Sequence, residues 1–512
     1  MKMFKLGLGA LILTLVVSLA FLACDTGSTT TTTPPPQPLG ADIVVVGGGL
    51  AGLSAAISAV QEGASVILVE RFAFTGGASA TSGGGIAAAE TSVQANASPP
   101  VTATIAAWRA HFAMRQGSIA PASLRNTNFP IVAATDFMTA QAGPFIEWMV
   151  GMDFPFGAPW FFGRDLDLRL HSGVAPYNGG GGLMTFFRNQ AEDAGVTIML
   201  NALAVEVLQE SGPGSAVTGV RLQNGTVINA QAVILAGGGF AANLQEFLPN
   251  VNFPVTGGHA GSDGSAINMA VAAGGELHDD PWIKGVGLAA AVGNLNAAAS
   301  LIENPPANQT IVGGASPNST AMFVNQRTGA RVVHETHHYS ILTGAAFYAG
   351  LQGDTLFAIF DSRISRPTAA QLANAELFYA DTIAELATLA GIHADLAATV
   401  TAWNAFSYPA DDPLNNELFD LDHHFPITQA PFFAVRLVPT IMGTFGGVRT
   451  IFTTGAVLAN GSDTVTIPGL FAAGETASRA FYDKVYVAGT GLAQAGTTGR
   501  AAGLAAAAFV AP

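Results

Sequence analysis

The residues most able to do chemistry stand between Gly47 and Glu70. Residues 47–52 read Gly-Gly-Gly-Leu-Ala-Gly, after the apolar run Ile43 to Val46. A helix-like stretch, Leu50 to Gln61, follows, and then a second apolar run, Ser65 to Val69, that ends on Glu70. In that order of strand, turn, helix and strand the spacing suits a bound dinucleotide. Gly47 permits the tight turn, Gly49 lets backbone approach a pyrophosphate, and Gly52 lets the helix close on the strand. The free N–H groups at the helix start present partial positive charge to the phosphates. Glu70 stands where a carboxylate accepts a hydrogen bond from a ribose hydroxyl, which disfavours a 2′-phosphate there.

These residues need a large α/β scaffold, and the chain supplies one. It has 512 residues, 49% hydrophobic and 11% charged, with 60 glycines, a composition of tightly packed, glycine-turned folds. The net charge of −15 and the lack of any Lys/Arg cluster argue against nucleic acid as a partner. Lys2 and Lys5 precede an apolar run from Leu6 to Ala23, and Cys24 follows, which reads as an export signal. Phe21-Leu-Ala-Cys24 resembles a bacterial lipobox with Cys24 as the lipidated residue; an uncleaved membrane anchor is the competing reading. Residues 25–40, rich in Thr and Pro, read as an extended tether. The expectation is therefore a protein held outside the cytoplasm on a membrane by a lipid. Cys24 is the only cysteine, so the chain carries no internal disulfide, iron–sulfur cluster or Cys-x-x-Cys-His haem site, and its electron partner must be a separate molecule.

The pattern along the chain predicts strands over Val196–Val207 (a pair) and Gln231–Ala236, a hairpin around Asn224-Gly225, helices over Gly180–Ala194 and Asp263–Gly274, and a late strand from Gly469 to Glu475. A final helix is expected from Leu492 to Phe509. Glycine turns thin out from about Pro281 to Met442, which reads as an inserted second domain. The expected organisation is a nucleotide domain over 41–280 and 443–512 and a capping domain over 281–442.

Four features in combination resemble the flavoprotein family of fumarate reductase and succinate dehydrogenase, which also includes flavocytochrome fumarate reductases, 3-ketosteroid dehydrogenases and tricarballylate dehydrogenase. They are the Gly47–Gly52 turn with Glu70, the glycine cluster from Gly76 to Ile86, Val233 to Asn243 with Gly261 to Gly274, and Gly474-Glu475 followed by Gly489-Thr-Gly-Leu492 and Gly499-Arg500. The resemblance spans nearly all of residues 41–512. It implies a Rossmann-like FAD-binding domain with an inserted α+β capping domain. It also implies an FAD site built from Gly47, Gly49, Leu50, Ala51, Gly52, Glu70, Gly76, Gly77, Ser79, Gly84, Gly85, Val205, Ala236, Gly237, Gly238, Asp263, Gly474, Glu475, Gly491 and Leu492. No histidine stands between Phe72 and Ile86, where some members attach FAD covalently, so non-covalent FAD is expected. Gly489 and Gly491 strip side chains from a helix start, and the N–H groups of Gly491 and Leu492 are placed to face the flavin pyrimidine ring.

The family's dicarboxylate clamp is absent. Gly314 to Pro317 lies where its E-x-x-R would be, Tyr339 at its proton-donating arginine, Met442-Gly443 at its histidine pair, and Tyr486 near its last-loop arginine. A dicarboxylate would lose its charge compensation there, at a cost of several kcal/mol. Tyr486-Val-Ala-Gly-Thr-Gly-Leu492 instead resembles the last loop of tricarballylate-type dehydrogenases and the related loop of ketosteroid dehydrogenases, in which the resemblance implies a tyrosine and a nearby backbone amide that polarise a substrate carbonyl. Tyr486 is thus the first catalytic candidate and Tyr339 the second, as proton donor; core packing is the alternative for each. His334-Glu-Thr-His-His338 matches the His-Glu-x-x-His zinc pattern, but it lies in a family register that points away from zinc, with His337 or His338 as substrate contacts. No metal is expected. Gly257-Gly-His259 could place an imidazole near the cofactor, but a solvent-facing loop residue is the favoured reading; Arg449, Arg479 and Lys484 read as surface charge or ligands for an acidic group. The expected reaction passes hydride between flavin and a carbon beside a carbonyl-activated double bond, in an enoate or enone, with a quinone or redox protein as electron partner. The alternatives are a ketosteroid-type dehydrogenase on a bulky apolar ketone, and an FAD-binding surface lipoprotein without catalysis.

Overall fold

Four consecutive apolar side chains are buried along β1 (Ile43–Val46) because a parallel sheet surrounds this strand and both its faces are covered. The computed structural model describes residues 39–117, 124–160, 169–290, 321–335, 338–363, 367, 369–405, 414 and 426–511. The export signal, Cys24, residues 25–38 of the tether, residues 314–317 and His337 lie outside them, while Leu39 and Gly40, expected as the end of the tether, pair with Ile228 and Asn229 as a short strand. Residues Leu39–Pro512 form one compact unit by contact.

From β1 the chain turns at Gly47 into α1 (Leu50–Gln61) and returns as β2 (Val66–Val69), parallel to β1. β3 (Thr197–Met199) adds outside β2, while β4 (Ala232–Leu235) pairs with the other side of β1. Sequence neighbours thus leave β1 in opposite directions. This opens a crevice at the carboxyl ends of β1 and β4, the place where open α/β sheets bind ligands.

A second sheet supplies the other wall. In it, β5 (Trp282–Ala290) runs antiparallel to β6 (Phe432–Phe445), from Trp282↔Phe445 to Ala290↔Leu437. Leu356–Asp361 and Leu377–Ala380 also pair with β6. A helix, α2 (Tyr339–Leu351), lies on this sheet and shares a core of Leu288, Ile341, Ala345 and Leu437. β7 (Thr466–Ala472) then rejoins the first sheet beside β4, and α3 (Thr490–Val510) packs on α1. That last contact is close because Gly499 and Gly503 lack side chains: a Cβ at Gly499 would stand 2.8 Å from Ala51 Cα, and one at Gly503 2.9 Å from Ala55 Cα.

Several expectations shift. The stretch Val196–Val207 holds two strands that do not pair: Thr197–Met199 joins β2, and Ala204–Gln209 pairs with Val217–Leu222 in a separate sheet. The late strand ends at Ala472, and Gly474–Thr476 forms a short 3-10 turn instead. β6 runs unbroken through the 442/443 boundary, and Thr256–Gly257 pairs with it from the segment assigned to the nucleotide domain. The Asn224-Gly225 turn joins Val217–Leu222 to Val227–Asn229 as expected.

Candidate active site

A cavity of about 510 Å³ runs from the Gly47 turn, past the start of α3, to β5, β6 and the first residue of α2. At the outer end Gly47 has φ +106°, where a Cβ would stand 2.5 Å from Ala236 O. Gly49 is the N-cap of α1 and brings no side-chain cap, so apart from the Leu50 N–H the first turn of the helix is open to a ligand. Glu70 is nearly buried and works on the turn itself. Its Oε2 accepts the Gly48 N–H at 2.7 Å and its Oε1 the Phe72 N–H at 2.9 Å. Ser79 Oγ accepts the Leu50 N–H at 3.4 Å.

Of the residues expected around a cofactor, Gly47, Gly49, Leu50, Ala51, Glu70, Gly77, Ser79, Gly84, Gly85, Ala236, Gly237, Gly238, Gly474, Glu475, Gly491 and Leu492 line this one cavity. Four do not. Val205 is 46% exposed, and its neighbour Ala204 lines the wall instead, because adjacent strand residues face opposite sides. Gly52 packs behind the turn, where a Cβ would clash with Gly47 O. Gly76 gives its N–H to Gly48 O at 2.8 Å and supports the turn from outside. Asp263 stands behind Arg71, pairing with it at 2.7 Å and accepting the Ser265 N–H at 3.0 Å. Burial raises the Asp263 pKa, but Arg71 and Ser265 outweigh it and hold the carboxyl below its usual range.

At the inner end Tyr486 and Tyr339 come together. Tyr339 opens α2, and Tyr486 lies on the loop before α3; its backbone N–H donates to Ser340 Oγ at 2.8 Å, tying the loop to α2. Both are nearly buried and both line the cavity, with ring centroids 6.3 Å apart. A Cβ added to Gly491 would stand 3.5 Å from the Tyr486 hydroxyl and 3.6 Å from Lys284 Nζ, so phenol, ammonium and helix start share one corner.

Lys284 was not legible as a site residue. It sits on β5 opposite Gly443, is 3% exposed, and forms an ion pair with Glu475. The rings of Phe445, Tyr486 and Tyr482 surround its Nζ at 5.6, 5.7 and 6.0 Å. The available signal was one lysine inside the otherwise uncharged strand Trp282–Ala290.

Other candidates resolve differently. α2 begins at Tyr339, so the His334–His338 pattern precedes the helix; His338 Nδ1 accepts the Ser340 N–H at 3.4 Å. Glu335 is held by Arg331 Nε at 2.9 Å and by the Phe323 N–H at 3.0 Å. Among the described residues no His/Cys/Asp/Glu group is placed to hold a metal. His259 is half-buried and lines the cavity, edge-on to Phe72 at 5.7 Å. Arg479 and Lys484 are buried, not surface charges: both pair with Asp280, whose position beside β5 brings them together. Arg449 pairs with Glu276 at 2.5 Å and with Asp463.

The residues fit FAD: a glycine cradle whose Cβ atoms would collide with backbone, an uncapped helix start at the turn, and a second helix start at Gly491 with side chains removed. The sequence profile described as FAD binding domain matches residues 42–492. The chain belongs to this family. It is an FAD-dependent oxidoreductase acting on CH–CH groups. It is 27% identical to urocanate reductase of Eggerthella lenta, covering 85% of this chain and 70% of that protein. It is 26% identical to fumarate reductase (cytochrome) of Shewanella frigidimarina, over 85% of this chain and 71% of that one. Its fold matches 3-ketosteroid delta1-dehydrogenase of Sterolibacterium denitrificans with a TM-score of 0.72 at 19% identity, over 92% of this chain and 99% of that one.

Proposed function

We propose that this flavoprotein exchanges hydride with a carbon beside a neutral, carbonyl-activated double bond, an enone in preference to a dicarboxylate. The observation that carries this reading is the inner corner, where Tyr486 and Tyr339 line the cavity beside a lysine already paired with Glu475. The cations that line the cavity are already matched: Arg71 by Asp263, and Lys284 by Glu475. A substrate carboxylate finds no uncompensated cation among the described residues and loses its hydration.

FAD supplies the hydride donor or acceptor. In the reducing direction the substrate β-carbon gains hydride and its α-carbon a proton; the oxidising direction removes both. Tyr486 donates a hydrogen bond to the carbonyl oxygen, where negative charge builds. Tyr339 carries the proton at the α-carbon, its ring lining the same cavity with its centroid 6.3 Å from that of Tyr486. The buried setting excludes water from both.

A bulky apolar ketone of the ketosteroid kind is the second reading, favoured by the fold match and by Trp160, Ile441 and Met442 on the cavity wall. The electron partner is a separate quinone or redox protein, since the single cysteine leaves the chain without an iron–sulfur cluster. Residues 1–38 support a lipid anchor at Cys24 and an extracytoplasmic position. Among the described residues no helix is long and apolar enough to cross a membrane. The chemistry is tested by reducing the flavin of the full chain without oxygen and following its reoxidation by neutral enones and by dicarboxylates.

A further inference from the structure

Lys284 has three N–H donors, and Glu475 Oε1 takes one of them. No other protein acceptor engages the ammonium among the described residues, although it is 97% buried (3% exposed) and lines the cavity. The strand places it there deliberately. β5 shifts register between Lys284 and Gly285 against β6, which re-aims the side chain toward α3 rather than along the sheet. Three aromatic rings, Phe445, Tyr482 and Tyr486, then wall the ammonium at 5.6 to 6.0 Å, within cation–π range. Its remaining donors share the corner at Gly491 with the Tyr486 hydroxyl, 3.6 and 3.5 Å from the same point.

We infer that Lys284 is a catalytic residue, a second hydrogen-bond donor that works beside Tyr486 on the substrate's carbonyl oxygen. The inference rests on the proposed carbonyl chemistry and narrows its substrate class. Tyr486 alone provides a neutral donor. Lys284 adds a charge-assisted one, strongest when the oxygen carries negative charge, as it does at the transition state. Glu475 keeps the corner neutral while the substrate is uncharged. A neutral ketone or aldehyde therefore enters without repulsion or a competing pull, and the ammonium acts only as charge develops. The same pairing disfavours a substrate that brings its own carboxylate to this corner, because Glu475 stands beside it.

The test uses 4-cyanophenolate, an oxyanion of carbonyl-like size, titrated into the FAD-loaded full chain at a pH where it is ionised. Perturbation of the flavin absorption reports binding without any turnover. K284M is expected to retain FAD and to weaken phenolate binding about tenfold to a hundredfold, the range for one charge-assisted hydrogen bond. K284R, which keeps the charge, recovers part of the loss. E475Q, which removes the competing carboxylate, tightens binding. Phenolate affinity unchanged in K284M overturns the inference, whether or not the wild-type protein turns over any enone. Should K284M lose its flavin, E475Q decides: tighter phenolate binding supports the role of Lys284, and unchanged or weaker binding overturns it. Loss of enone turnover in the wild type with phenolate binding intact would count against the proposed reaction but not against this donor pair.

Discussion

Tyr486 is fixed through its backbone, by the N–H to Ser340 Oγ at 2.8 Å, so its phenol can be altered without releasing the loop. Y486F is expected to lower kcat/KM for an enone about a hundredfold to a thousandfold, the cost of removing one donor from a developing oxyanion. The flavin-to-protein absorbance ratio should stay at the wild-type value; unchanged turnover would remove Tyr486 from the mechanism. Tyr486 was legible because its loop carries a local pattern, Tyr486 to Leu492, that ends in a glycine-stripped helix start. Lys284 was not, because its partner Glu475 lies 191 residues away and nothing in the local strand announces the pair. The same distance problem misplaced Arg479 and Lys484, which are buried only because Asp280 arrives from beside β5. Val205 lies off the cavity wall for a smaller reason: in a strand, a shift of one residue exchanges wall for solvent.

At the level of elements, the cavity depends on α1 and α3 approaching closely enough for both helix starts to face it. Gly499 and Gly503 set that distance, since side chains there would meet the backbone of Ala51 and Ala55. G499V is expected to separate the helices and lower stability by about 1–3 kcal/mol or more, the usual cost of overpacking. Purified G499V should show a reduced flavin-to-protein ratio and a lowered Tm; wild-type flavin content would show that the contact does not shape the site. The glycine turn, α1, β1 and β2 were readable because their signals are contiguous. The second sheet was only partly readable. β6 finds its partners in Leu356–Asp361, Leu377–Ala380 and β5, and this pairing follows from packing rather than from any local pattern.

Across the whole molecule, a buried histidine, His171, and a half-buried one, His278, link stability to pH. Burial pulls the His171 pKa down to about 4, against weaker raising by hydrogen bonds to backbone carbonyls. Burial, with the charges of Arg479 and Arg449, takes His278 down to about 3. A histidine with a depressed folded pKa binds its proton sooner in the unfolded chain. The stability is therefore complete above the ordinary pKa of 6.5 and is lost as pH falls toward the folded values. Each histidine contributes a slope of about 1.4 kcal/mol per pH unit within its window. Tm should drop steeply between pH 6.5 and about 4, and the double variant H171Q H278Q should flatten that drop; an equal slope in the variant would assign it to the carboxylates. The proposed anchor is a property of the full chain as well: C24A should move the protein from the membrane to the soluble fraction, and membrane retention would contradict lipidation at Cys24. The most direct test of the chemistry mixes the reduced, oxygen-free flavoprotein separately with 2-cyclohexenone and with fumarate and follows the return of the oxidised flavin spectrum. Reoxidation at least about tenfold faster by the enone is expected, as loss of about 1.4 kcal/mol or more of carboxylate compensation requires. Reoxidation by fumarate as fast as by the enone would contradict it.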